Sequence, residues 1–316
     1  IIFVTVLNSV LVYAGYNIYK NYTYDDQVVS TQLPEPKVGE STAHLAAEQA
    51  TQQQESAVTT PATQNSTTAT GQLTLGNAVE LFQDKLGVKL IVIRSESDLQ
   101  NYGLAYGDAI SASASDDATV LAIISLLYSE WGKYPSGFLS KVGLKKVAIV
   151  GKIMNGSYEV AAMPRAEDQD VVYYSSLFGA DTYMKRVAHH ELDHLIEYNA
   201  HGTYYYNDAS YKACNSPTFQ YSSSGIDAYT GEGINSYSLH PYEGLIDGYS
   251  TYGIEEDKAQ IYTELFANIG FLNGLTDTDS YLACKKNVYL AFLQSFNPSI
   301  TEEYLKQLPA VPVLLY

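Results

Sequence analysis

The stretch VAHHELDHLIEYNAHG, residues 187–202, holds four of the chain's six histidines. His190, Glu191 and His194 spell H-E-x-x-H. On a helix, positions i and i+4 share one face about a turn apart, so both imidazoles can reach one ion. Glu191 follows the first histidine and sits beside that ion, where a carboxylate can take a proton from an attacking water. Val187, Leu192, Leu195, Ile196 and Tyr198 supply apolar contacts, and Asp181 suits an N-cap, so a helix over about 181–199 is predicted.

The remaining histidines of the stretch fit less well. His189 cannot begin the motif, because Glu191 stands only two positions after it; a place beside the site or at the surface is expected. His201 is the tempting third ligand. A metzincin, however, requires glycine at position 197 and histidine at position 200, and the chain has Glu197 and Ala200 there. All three methionines, Met154, Met163 and Met184, precede the motif, so no downstream Met-turn exists. A glutamate from a downstream helix is the alternative. In YSTYGIEEDKAQIYTELFANIG, residues 249–270, Glu256, Ala259 and Thr263 share one helical face, with Ile254, Ile261, Leu265 and Phe266 turned to a core. Glu256 is the leading candidate, with Glu255 and Glu264 behind it.

Around this pair of segments the chain divides into three parts. Residues 1–20 read as a signal-peptide core or membrane anchor: the first nineteen, IIFVTVLNSVLVYAGYNIY, carry no charged side chain. Residues 21–71 read as a disordered Thr/Gln/Ser-rich linker, with no aromatic residue from 30 to 71 and too little apolar surface to offset ordering. Residues 72–316 form the folded domain. There, LGNAVELFQDKLG predicts a helix ending at Gly87, and VKLIVIRS a strand. SDDATVLAIISLLYSEWGKYP predicts a helix capped by Ser115 or Asp116 and stopped by Gly132 and Pro135. LKKVAIVGKI and SYEVAAMP read as two strands around an Asn-Gly turn, and DVVYYSSL as another. A Gly/Ser/Tyr/Asn-rich stretch fills 200–252, and helices are expected near 255–269, 278–295 and 300–307. Strands first and helices last is an α+β order.

Composition narrows the functional classes. A net charge of −17, from 18 basic against 35 acidic residues, excludes a phosphate-backbone partner, so no nucleic acid is expected. Cys214 and Cys284 either bridge or sit as separate buried thiols; two isolated cysteines cannot close a thiolate metal site. The order of leader, linker and folded domain suggests an extracellular or cell-surface protein, with 1–19 as a possible membrane tether. The N-x-S/T sites at Asn21, Asn65 and Asn155 bear on this only in a eukaryotic secretory route, which the sequence does not establish.

The segments HHELDHLIE, YKACNSPTFQY and GYSTYGIEEDKAQIY resemble the gluzincins, the glutamate-type zinc-binding metallopeptidases, and among them relatives of the anthrax lethal factor catalytic domain. The likeness runs from about 85 to 295, with specific motifs only in 187–262. It implies a zincin-like α+β fold with a small N-terminal sheet, an active-site helix and a helical C-terminal part. It implies that His190, His194 and Glu256 hold Zn2+, that Glu191 is the general base, and that Tyr252 or Tyr249 steadies the oxyanion. The implied activity is hydrolysis of a protein or peptide substrate. Two positions depart from the family pattern. Tyr211 stands for the loop tryptophan. Gln260 replaces the second acid of E-D-x-A-E, so Asp257 would have to orient a histidine if that acid does so. The rival reading is a non-catalytic surface binding protein that uses its tyrosine-rich stretch on glycan or polymer.

Overall fold

The structure is a computed structural model that describes residues 74–104, 109–112, 115–167, 169–222 and 238–313. The expected leader and linker lie outside the described residues, as does the centre of the Gly/Ser/Tyr/Asn-rich stretch, 223–237. No helix among the described residues is long and apolar enough to cross a membrane. The chain runs α1 (Leu75–Leu86), β1 (Lys89–Val92), β2 (Ile110–Ser111), α2 (Asp117–Trp131), β3 (Lys146–Val150), β4 (Lys152–Asn155), β5 (Tyr158–Glu159), β6 (Ala162–Arg165), β7 (Val171–Ser175), α3 (Thr182–His201), α4 (Ile254–Ala267), α5 (Ile269–Thr276) and α6 (Ser280–Phe296), with short helical turns between. This is an α+β architecture, as the order of elements predicts.

The main sheet has the order β1-β3-β7-β6, with β1, β3 and β7 parallel and β6 antiparallel to β7. Its central strands are buried on both faces, which explains their unbroken apolar runs. Alternation sends Val147, Ile149, Val172 and Tyr174 into a large core beneath the helices. Ala148, Val150, Val171 and Tyr173 enter a smaller core on the other face, with Ile91, Ile93 and Ile153.

Two expected strands each prove to be two. LKKVAIVGKI breaks at Gly151: β3 stays in the main sheet, and β4 pairs with β2 and β5 in a second antiparallel sheet. Gly151 takes part in both, because its N–H donates to Ser111 and its carbonyl accepts from the Ser175 hydroxyl at 3.1 Å. SYEVAAMP divides in the same way into β5 and β6. The Asn155-Gly156 turn joins β4 to β5, and Gly156 takes the left-handed conformation (φ 61°) that the hairpin requires. The helix expected over 255–269 is α4, and a further helix not expected, α5, follows at once because Asn268 leaves helical geometry and caps it through Phe271 N–H at 3.0 Å.

Behind the sheet, α3 is the central element. Asp181 caps its start through Met184 N–H, and left-handed Gly202 ends it. Met184, Ala188, Leu192, Leu195 and Ile196 are buried in the large core, and Trp131 of α2 donates to the Ala188 carbonyl at 3.1 Å. Cys214 and Cys284 are bonded, fastening the segment after α3 to α6 across 70 residues of sequence. Replacing both by serine is expected to cost about 2–4 kcal/mol through the longer free loop of the unfolded chain. A urea melt followed by the fluorescence of Trp131, the chain's one tryptophan, measures it; an unchanged midpoint would remove that contribution.

Candidate metal centre

The site is built where α3 packs against α4. Three rungs join them. Arg186 pairs with Glu264, His190 meets Gln260, and His194 meets Glu256. Going up α3 by four residues goes down α4 by four, so the helices are antiparallel and one face of each supplies every rung. A further cross-link, the buried Lys258–Glu197 pair at 2.8 Å, ties the same two helices beside these rungs. The i, i+4 spacing of the histidines is thus matched on the facing helix.

At the second and third of these rungs three donor atoms converge. His190 Nε2 lies 3.0 Å and His194 Nε2 3.4 Å from Glu256 Oε2, and the two ring nitrogens are 3.1 Å apart. Donors held roughly 2.0–2.1 Å from one tetrahedral ion would be about 3.3 Å apart, so the triangle has the size a metal requires. The side chains of His190, His194 and Glu256 are 12%, 11% and 10% exposed, shielded yet reachable. These three residues can hold a metal ion.

Glu256 Oε2 is a buried oxygen that no hydrogen bond satisfies. His190 Nδ1, on the far side of its ring, faces Gln260 Oε1 at 3.3 Å, an acceptor, so the ring proton belongs on Nδ1. That leaves a bare lone pair at Nε2 aimed at Glu256. Acceptor atoms brought this close repel one another unless a cation, a metal ion or a proton, lies between them. With no metal, protons take its place. Burial opposes charge on His194, but the Glu256 carboxylate outweighs burial and lifts the imidazole to about 10. His190 is raised by the same balance. Burial likewise opposes the Glu256 charge, and His194 outweighs it, holding the carboxyl well below its usual range. Metal and protons therefore compete for these atoms.

Glu191 is next in sequence to His190. Burial raises its carboxyl above the usual range, and the two neighbouring imidazoles only partly counter this, which moves it toward the basicity a proton acceptor needs. Tyr249 is half-buried with its ring 5.7 Å from the His190 ring, and Tyr252 is buried against Tyr249 at 6.0 Å. Of the two phenols, Tyr249 is the one packed against a ligand ring.

The expectations for the residues around the triangle fare differently. His189 is not a surface residue: it is wholly buried on the opposite flank of α3, where Tyr134 lies 2.6 Å from Nδ1 and Glu130 3.2 Å from Nε2. Burial keeps it in the neutral form despite Glu130. One residue along a helix is a turn of about 100°, enough to carry it from the α4 side to the α2 side. Asp257 does not orient a ligand histidine; it is bound to Lys285 and to the Tyr221 hydroxyl, each at 2.6 Å. His201 is stacked on Tyr206 at 3.8 Å, away from the triangle, as its register predicts. Glu264 is taken by Arg186.

Sequence reading missed Asp247, which accepts a hydrogen bond from Gln260 behind His190. Its signal was faint: an Asp two residues before Tyr249, in a stretch that reads only as loop. No family model, curated protein or solved structure matches the chain.

Proposed function

We propose that this chain is a zinc-dependent metallohydrolase of the gluzincin type, most plainly a peptidase. The observation that carries the reading is the convergence of His190, His194 and Glu256, three protein donors at one point, with the Glu191 carboxyl feeling the charge of both histidines. Two nitrogens and one oxygen suit zinc, and three protein donors leave a coordination position open, as catalytic sites do. A bound zinc ion would polarise the scissile carbonyl and make water at the site acidic near pH 7. Glu191 takes the proton from the attacking water and delivers it to the leaving amine. Tyr249, or Tyr252 behind it, donates its phenolic hydrogen to the oxyanion. Two helices of the core hold the ligands, so the site is organised before substrate arrives.

The zincin-like fold is part of the same proposal, supported by the sheet-then-helix order and by a ligand glutamate on a second helix. Export to the cell surface or beyond is supported by the bonded Cys214–Cys284 pair, since disulfides persist in oxidising compartments. The test is digestion of a mixed peptide library by chelator-stripped and zinc-restored protein, read by mass spectrometry. Zinc-dependent cleavage is expected. Zinc uptake without any cleavage would favour a binding protein instead.

A further inference from the structure

A histidine that binds metal through Nε2 must keep its one proton on Nδ1, and something must hold it there. At His190 the partner is an amide, and an amide is ambiguous. Turned one way, Gln260 presents its oxygen and keeps the proton on Nδ1. Turned the other way, it presents an NH2 group, which drives the proton to Nε2 and blocks the lone pair. With the metal-centre reading above as its basis, we infer that Asp247 is the positioning residue that settles this choice, acting through Gln260 on His190.

Gln260 Nε2 donates to Asp247 Oδ2. An ionised carboxylate only accepts, so the NH2 end must face Asp247 and the oxygen end must face His190. Asp247 is itself fixed. Its other oxygen accepts from the Ser250 backbone N–H and from the Ser250 hydroxyl, each at 3.0 Å, and its backbone forms a β-bridge with Leu239. The single turn Tyr249–Thr251 follows at once, so the loop that brings Tyr249 against His190 also brings Asp247 behind Gln260. The carboxylate does more than orient. Its negative charge, passed through two hydrogen bonds, makes Nε2 a better donor. A carboxylate placed directly on Nδ1 would achieve the same result; here the task is divided between an amide on α4 and an acid on the preceding loop.

The division predicts a reversal of sign. Zinc affinity is measured by competition with a chromophoric chelator on the full chain, first stripped of metal, for wild type, D247N, Q260E and D247N/Q260E. In the wild-type background, D247N frees the Gln260 amide to turn and should loosen zinc by about tenfold. Q260E sets a carboxylate against Asp247, and the repulsion should loosen zinc as well. In that background D247N replaces repulsion with a hydrogen bond, so the same change should tighten zinc back toward the wild-type value. Q260M, which keeps the length of the side chain and leaves Asp247 its bonds to Ser250, should loosen zinc about as much as D247N. It decides the matter, together with the double variant, if D247N alone fails to fold. No change from D247N and Q260M, or a D247N loss of equal size in both backgrounds, would overturn the relay. Wild-type protein that takes up no zinc would overturn the metal centre itself, and the relay with it.

Discussion

Glu191→Gln is expected to lower peptide hydrolysis by about 10²–10⁴-fold while leaving zinc content at the wild-type level. The substitution keeps the shape of the side chain and removes only its ability to take a proton. Glu191 is not one of the three converging donors, so the metal triangle of His190, His194 and Glu256 should remain intact. Because burial raises this carboxyl, the rate should rise with pH as Glu191 loses its proton, and this acidic limb should vanish in the Gln variant. Steady-state rates across pH, with zinc measured by elemental analysis on the same samples, provide the check. A variant that retains most of its rate would remove Glu191 from the base role.

The second large effect concerns the ion. Apparent binding energies of roughly 10–16 kcal/mol for four-ligand zinc sites correspond to about 3 kcal/mol per ligand, or roughly 10²–10³-fold in affinity. His194→Ala and Glu256→Ala are each expected to loosen zinc by that amount and to abolish hydrolysis. The triangle edges of 3.0, 3.1 and 3.4 Å involve all three side chains, so no single loss is covered by the others. Undiminished zinc in either variant would take that residue out of the ligand set. His201→Ala, remote from the triangle, serves as the control.

The helix that carries the site was legible in sequence because Asp181, Gly202 and the i, i+4 apolar pattern act locally. The candidate third ligand was legible for a related reason. A two-histidine helix needs a partner, and few downstream glutamates lie on a helix with a clear core face. What sequence did not disclose depends on contacts across the fold. The break at Gly151 lies in a stretch that reads as one strand, and only pairing with β2 draws the chain out of the main sheet. His189 and Asp257 were misplaced because hydropathy does not distinguish a buried, partnered polar group from a solvated one. Lys258 and Lys285 are also nearly sealed from solvent, and in sequence they read as ordinary surface charges. Asp247 escaped notice because its role is set by the orientation of Gln260 rather than by its sequence neighbours.

The antiparallel rungs between α3 and α4 have a thermodynamic consequence. An ion held by His190, His194 and Glu256 would grip both helices at once, and the unfolded chain has no such grip to offer. Loading would then act by mass action on folding itself, adding about 2.7 kcal/mol when free ion stands at a hundred times its dissociation constant. The melting temperature would become a gauge of occupancy. Divalent cations could be ranked by the upward shift each produces, and the resident metal identified before any substrate is known.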